Sequence, residues 1–166
     1  EYIVLADITI AADSSDGLVL IQDQLSLERE QYLYELETRA GQEAVNRSIA
    51  KRRATLMNVP GGYWTLSNQP RAVHYARSGY LDLQPTGRFL LASDGYSRAV
   101  DLFHLASWRD LLAGEQPDVY RTLEELRQVE SSDPHRKAFP RVTTNDDATL
   151  LLLQVRSPGK SHGDRL

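Results

Sequence analysis

The sequence predicts an α+β fold, because strand-like and helical patterns occupy different parts of the chain. Short apolar segments bounded by turn residues lie near both ends. Between them lie longer segments whose apolar residues recur at helical spacing. With 166 residues, of which 41% are hydrophobic and 25% charged, the chain is long enough for one domain with its own core. We predict this domain over residues 1–156 and a polar tail over residues 157–166.

The N-terminal part is predicted to form two strands followed by helices. The strands are expected at residues 2–6 and 17–23, joined through the turn-forming sequence Asp-Ser-Ser-Asp-Gly. From Ser26 the apolar spacing becomes helical, and Gly41 is expected to bend or divide the helix. The apolar positions of this pattern are Leu27, Tyr32, Leu33, Leu36, Ala40, Val45 and Ile49.

Proline and glycine divide the middle of the chain into short pieces, after which the patterns become longer again. Short strands are predicted at residues 63–66, 72–75 and 80–83, and a buried strand at residues 88–93. Helices are predicted at residues 95–106, 107–115 and 117–133. The last predicted element is an apolar strand at residues 148–155.

Composition excludes several classes of function. The net charge of −4 and the pI near 5.6 argue against a nucleic-acid-binding protein. No apolar stretch approaches the roughly 20 residues of a membrane span. Because cysteine is absent, disulfides, thiolate metal sites and a cysteine nucleophile are impossible, and a cytoplasmic location is expected. The chain starts with a strand pattern and no methionine, from which we expect further sequence upstream of Glu1.

Two acidic segments are predicted to meet at one edge of a sheet. Asp94 and Gly95 follow the predicted strand at residues 88–93, whereas Asp146 and Asp147 precede the last strand. If these strands are antiparallel neighbours, the end of one lies beside the beginning of the other. Gly95 would allow a sharp turn there, and the small Ala148 would leave room. Carboxylates without cysteine or histidine favour Mg²⁺, Mn²⁺ or Ca²⁺, although each segment alone is also a common turn sequence.

The sequence FLLASDGYSRAV followed by NDDATLLLL resembles the metal-dependent Ser/Thr protein phosphatases of the 2C type, particularly their bacterial members. In that family a strand ends in Ser-Asp-Gly, and a later Asp-Asn opens the last core strand. The similarity extends over residues 2–155, and the two aspartate motifs are its specific part. It implies a four-layer α-β-β-α sandwich with two mainly antiparallel sheets, of which the N-terminal part is missing from this sequence.

The resemblance also implies a site and a reaction. It makes Asp94 and Asp146 metal ligands and places Asp7 where the family supports a third, weaker metal. The implied centre contains two Mn²⁺ or Mg²⁺ ions, which lower the pKa of a bridging water and clamp phosphoryl oxygens. The implied substrate is a protein carrying phosphoserine or phosphothreonine, and no protein nucleophile is required.

The sequence departs from the family pattern at several positions. Ala6 replaces a glycine, and Arg98 stands where many members have an acidic residue. Asp147 stands where asparagine is usual, so that either Asp146 or Asp147 could be the ligand; the register with the strand favours Asp146. The family's early acidic residue and its Asp-Gly-x-Gly-Gly motif do not occur in the sequence.

These departures leave two alternatives to an enzyme. One is a non-catalytic relative, a scaffold or phosphopeptide-binding domain that kept the fold and lost the metal ligands. The other is an unrelated α+β interaction domain in which the two acidic turns are coincidental. The basic residues of the segment before the acidic cluster, namely Arg136, Lys137 and Arg141, are expected to lie in a solvated loop, although they could also screen the carboxylates or bind a phosphate.

Overall fold

The chain forms helices and two antiparallel sheets, which confirms the predicted α+β class. The computed structural model describes residues 1–22 and 25–155; the predicted tail at residues 157–166 and the last residue of the predicted strand 17–23 lie outside them. The strands are β1 (Tyr2–Val4), β2 (Thr9–Ser14), β3 (Gly17–Ile21), β4 (Arg77–Gly79), β5 (Arg88–Ala92) and β6 (Leu150–Gln154). The α-helices are α1 (Leu25–Ala40), α2 (Gln42–Leu56), α3 (Asp94–Asp101), α4 (Trp108–Ala113) and α5 (Gln116–Ser132).

The larger sheet has four strands in the order β3-β2-β5-β6, and every neighbouring pair is antiparallel. The smaller sheet consists of β1 and β4, which are also antiparallel. In the larger sheet Leu90 of β5 lies opposite Ala11 of β2 on one side and Leu152 of β6 on the other. The middle strands are therefore β2 and β5, and β5 places its C-terminal end beside the N-terminal end of β6.

The two faces of the four-stranded sheet are covered by different layers. Leu90 and Ala92 of β5 pack with Tyr96 of α3 and with Trp108 and Leu111 of α4. On the opposite face, residues of β1, β2 and β3 form a second cluster, which contains Val4, Ile10 and Ile21. Because successive residues of a strand point to opposite faces, β2 contributes Ala11 to one cluster and Ile10 to the other.

The layers are thus helix, sheet and sheet, which are three of the four layers of the predicted α-β-β-α sandwich. Helices α1 and α2 pack against each other, and Leu33 and Ile49 bring this pair next to α3. Gly41 separates them with a φ of 78°, a left-handed conformation that glycine adopts readily, and this confirms the predicted division. No helix within residues 1–22 and 25–155 is both long enough and apolar enough to cross a membrane.

Several predicted elements were wrong, mostly in the middle of the chain. The predicted strand at residues 72–75 is part of a 3₁₀ helix (Pro70–Tyr75), which has proline at its start. Residues 63–66 form a single bridge to Met57, and β4 lies at Arg77–Gly79 instead of residues 80–83. Strand β2 was not predicted at all, although it lies in the middle of the sheet. Helix α3 ends at Asp101, earlier than predicted, and His104 beyond it has a left-handed φ of 54°.

The packing of the helices on the sheet predicts how much stability is lost when a buried leucine is shortened to alanine. Leu90→Ala should lower the free energy of unfolding by about 2–5 kcal/mol, because it removes a fully buried side chain at the centre of the main cluster. Leu151→Ala is the matched control on the neighbouring strand, where 48% of the side chain is exposed, and should change stability by about 0.5 kcal/mol or less. Equal costs in urea unfolding would contradict this assignment of the core.

Candidate functional site

Asp94 and Asp146 come together at one edge of the four-stranded sheet, as the sequence predicts. Ala92 pairs with Leu150 at the end of the β5–β6 ladder. Asp94 is the first residue of α3, two residues beyond that pair, and Asp146 precedes β6 on the neighbouring segment. Both side chains line the same pocket, which we call the Asp94 pocket. Asp147 does not line this pocket.

The serine of the Ser-Asp-Gly sequence joins the two acidic segments by hydrogen bonds. The backbone N–H of Ser93 donates to the carbonyl of Thr149 at 3.0 Å, which continues the ladder beyond β5. The hydroxyl of Ser93 accepts from the N–H of Thr149 at 3.0 Å and donates to the carbonyl of Asp147 at 3.2 Å. Ser93 occupies the N-cap position of α3 but makes no side-chain capping bond. Its hydroxyl instead holds the segment before β6 against the end of β5.

Gly95 allows these segments to approach closely. A Cβ at this position would lie 2.3 Å from the carbonyl oxygen of Asp147 and 3.1 Å from the Cβ of Asp146. The predicted sharp turn at Gly95 does not require a left-handed backbone, because the φ of Gly95 is not positive. The requirement is therefore the absence of a side chain, because the first turn of α3 lies directly against the backbone that carries Asp146.

Asp7 lies close enough to Asp94 to act on its charge but does not line the pocket. It follows β1, is exposed to solvent, and comes after Ala6, whose φ of 68° is left-handed. Glycine would adopt this conformation without strain, whereas alanine adopts it at a cost. Burial raises the pKa of Asp94 above its ordinary value, and the negative charges of Asp7 and Asp146 raise it further.

Arg98 places a positive charge within this acidic group. Its side chain is only 5% exposed, and its Nη2 lies 3.0 Å from Oδ2 of Asp146. Both terminal nitrogens also donate to the hydroxyl of Thr143 at 3.3 Å. Arg98 and the N–H of Gly95 oppose the rise in the pKa of Asp94. Removal of this guanidinium would therefore leave like charges close together at the edge of the sheet.

A second arginine holds the backbone of Asp146. Nη2 of Arg127, on α5, donates to the carbonyl of Asp146 at 2.8 Å, while Nη1 donates to Glu130 at 2.6 Å. The Glu130 side chain is buried, so it fixes the arginine on the face of α5 that meets the loop. Asp146 is thus held through its main chain by one arginine and through its side chain by another.

The loop before Asp146 is organised around a buried ion pair. The guanidinium of Arg141 is fully buried, lies 2.9 Å from Oδ2 of Asp133 and donates to the carbonyls of Phe139 and Thr144. The carboxylate of Asp133 also accepts from the backbone N–H groups of residues 137–139. Although burial alone would raise it, these N–H groups and Arg141 lower the pKa of Asp133 to about 2. The loop therefore has one defined conformation around this carboxylate.

The prediction of a solvated loop at Arg136, Lys137 and Arg141 was therefore wrong for its two arginines. Arg141 is buried, and Arg136 makes a two-pronged pair with Glu37 of α1, with N–O distances of 2.6 and 2.7 Å. Lys137 is exposed, as expected. Sequence reasoning missed Arg127, Glu130 and Asp133 as supports of the acidic cluster. The available signal was their spacing, because residues that recur every three positions lie on one face of a helix.

Helices α1 and α2 form the remaining wall of the Asp94 pocket. Leu33 of α1 and Ile49 of α2 supply apolar groups, and Arg52 and Arg53 of α2 supply guanidinium groups. The pocket has a volume of about 200 Å³. The contact of Arg136 with α1 ties this helix pair to the loop that leads to Asp146.

The described residues fit the kind of metal implied by the sequence but do not complete a site for it. Carboxylate oxygens are suitable ligands for Mn²⁺ or Mg²⁺. However, Oδ2 of Asp146 bonds to Arg98, and Oδ1 accepts the N–H of Asp147 at 3.0 Å. Among the side chains that the structure describes, those of residues 1–22, 32–116 and 118–155, no three acidic or histidine groups are arranged so that they could hold a metal ion.

Comparison of the chain with protein-family models, with curated proteins and with solved structures found no match.

The close approach at Gly95 gives a direct test of the site's construction. Gly95→Ala should lower the free energy of unfolding by about 1–3 kcal/mol, because the new methyl group meets backbone atoms that cannot rotate away. Gly114→Ala is the matched control: its nearest contact would be 3.2 Å and its φ of −67° suits alanine, so the loss should be below about 1 kcal/mol. Urea unfolding measures both, and an unchanged Gly95→Ala variant would contradict the contact with Asp147.

Proposed function

We propose that this chain belongs to a metal-dependent protein phosphatase that hydrolyses phosphoserine or phosphothreonine in proteins in the cytoplasm. The observation that carries the proposal is the convergence of Asp94 and Asp146 from two neighbouring strands into one pocket that also contains guanidinium groups. Such carboxylates are suited to hard cations, and guanidinium groups to phosphoryl oxygens. The order of the motifs, Ser-Asp-Gly and then a later acidic pair before the last strand, also supports it.

In this proposal the chain supplies part of the ligand set. Asp94 and Asp146 contribute carboxylates to Mn²⁺ or Mg²⁺, and Asp7 contributes to a weaker third position. The family's further ligands, an early acidic residue and an Asp-Gly-x-Gly-Gly motif, do not occur in this sequence. Bound metal would supply an activated water for attack on phosphorus. Ser93 and Arg127 would hold the segments that carry Asp94 and Asp146 beside each other.

The proposal predicts which aspartates matter for turnover. Asp94→Asn and Asp146→Asn should each lower Mn²⁺-dependent hydrolysis of a phosphoserine peptide by more than about 100-fold, since even loss of a partner of a metal ligand costs 10–100-fold. Asp13→Asn, on β2 and away from the pocket, is the control and should retain nearly full activity. The measurement is phosphate release by the full-length protein in the presence of Mn²⁺. Turnover by Asp94→Asn equal to that of the unchanged protein would refute the assignment.

A second candidate function is a non-catalytic relative that binds phosphorylated proteins. The observation that favours it is Arg98, whose buried guanidinium bonds to Asp146 and so supplies positive charge where a cation would otherwise be needed. In this candidate the acidic cluster is a structural ion pair. The Asp94 pocket then binds its partner without hydrolysis.

Removal of Arg98 tests whether its guanidinium neutralises the carboxylates of Asp94 and Asp146. Arg98→Gln should lower the free energy of unfolding by about 1–3 kcal/mol, less than for a fully buried pair because Asp146 is 37% exposed. Millimolar Mn²⁺ should raise the melting temperature of this variant more than that of the unchanged protein, because a cation replaces the lost positive charge.

Arg39→Gln is the matched control, because Arg39 forms an exposed pair with Glu35, and this variant should show no such response to Mn²⁺. An equal effect of Mn²⁺ on the unchanged protein and on Arg98→Gln would mean that Arg98 does not take the place of a cation. Phosphate release by the unchanged protein separates the candidates: turnover selects the phosphatase, and its absence selects the binding domain.

A further inference from the structure

Two arginines in the wall of the Asp94 pocket have no partner in the described part of the chain. Arg52 and Arg53, which we call the arginine pair, lie near the C-terminal end of α2 and line the pocket. Neither makes a side-chain hydrogen bond or an ion pair with any residue that the structure describes. Other arginines of the same helix pair differ in this respect: Arg39 bonds to Glu35 and Arg47 to Glu43, each one turn away.

The arginine pair faces a pocket whose acidic side is already partly neutralised. Asp146 is bonded to Arg98, so the pocket presents three guanidinium groups and two carboxylates. The hydroxyl groups of Tyr63 and Thr143 add further hydrogen-bond donors to the lining. Because Arg98 is already bonded to Asp146, the guanidinium groups of Arg52 and Arg53 remain available to bind an anion beside the carboxylates.

The size and the apolar part of the pocket match a phosphorylated side chain. A volume of about 200 Å³ holds several groups of the size of water, each of which takes about 30 Å³ in the liquid. Leu33 and Ile49 provide an apolar surface suited to the carbon atoms of the side chain. Arginine binds phosphoryl oxygens through two parallel hydrogen bonds. This geometry adds specificity for phosphate to the attraction between the opposite charges.

The position of the arginine pair is fixed relative to the aspartates. Helix α1 packs against α2, and Glu37 of α1 is paired through both oxygens with Arg136. Arg136 also donates to the carbonyls of Arg141 and Val142, within the segment that leads to Asp146. The helix that bears the arginine pair and the loop that bears Asp146 are thus connected by one short chain of contacts.

We infer that Arg52 and Arg53 bind the phosphate group of a phosphoserine or phosphothreonine in a protein substrate. The inference rests on the proposed function, because it assigns the recognition of the substrate to the same pocket. It gives α1 and α2 a definite role: they present positive charge to the edge of the sheet at which Asp94 and Asp146 meet. The apolar residues of the two helices then contact the alkyl part of the phosphorylated side chain.

The test is a binding measurement on the full chain without added metal. The probe is a fluorescent peptide that contains one phosphoserine flanked by uncharged residues. The same peptide with unphosphorylated serine is the comparison. We expect the protein to bind the phosphopeptide at least ten-fold more tightly than the unphosphorylated peptide. We expect the double substitution Arg52→Gln/Arg53→Gln to remove this preference. Arg52→Lys/Arg53→Lys should retain part of it, because lysine keeps the charge but not the two-pronged geometry.

Arg47→Gln is the matched control, since it removes an exposed arginine of the same helix that is already paired with Glu43. This variant should bind the phosphopeptide within two-fold of the unchanged protein, and circular dichroism should show all variants folded. Equal affinity of the unchanged protein for the two peptides would overturn the inference. So would an unaltered preference in Arg52→Gln/Arg53→Gln.

Turnover distinguishes failure of this inference from failure of the proposed function. Phosphopeptide binding that depends on the arginine pair, in a protein that releases no phosphate with Mn²⁺, would support the recognition site and refute the phosphatase. Turnover with a KM unchanged in Arg52→Gln/Arg53→Gln would support the phosphatase and overturn the recognition site.

Discussion

The antiparallel pairing of β5 with β6 is the constraint on which the candidate site depends. It sets Ala92 opposite Leu150 and thereby brings the segment after one strand beside the segment before the other. A slip of one residue would turn every side chain of β6 to the opposite face, so the register is specified by the apolar cluster beneath the sheet. Ser93 extends the pairing beyond the strands, to the residues that carry the charges.

Bringing carboxylates together has an electrostatic cost, and the chain offsets it within the same short segment. Asp94 begins α3, where the helix dipole and the N–H of Gly95 favour a negative charge. Arg98 follows one turn later and reaches Asp146. These effects do not cancel the cost completely, because the pKa of Asp94 is still raised by burial and by its acidic neighbours. The acidic cluster is therefore only partly neutralised by the chain itself.

The sequence was informative where local pattern and tertiary structure agree, as in the long helices and in β5. It could not reveal β2, because Ala11 and Ala12 have low strand propensity and are buried only through contacts with distant residues. The meeting of Asp94 and Asp146 was predictable because it follows from strand order alone. The burial of Arg141 was not, since charged residues are usually exposed and its partner Asp133 lies just beyond the end of α5.

The same part of the chain positions both sides of the Asp94 pocket. Arg127 holds the backbone of Asp146 from α5, and Arg136 holds Glu37 of α1 from the loop that follows α5. The loop that follows α5 therefore carries Asp146 and also contacts the helix pair that bears Arg52 and Arg53. In the proposed function, these contacts would hold the carboxylates and the arginine pair around a single phosphate group.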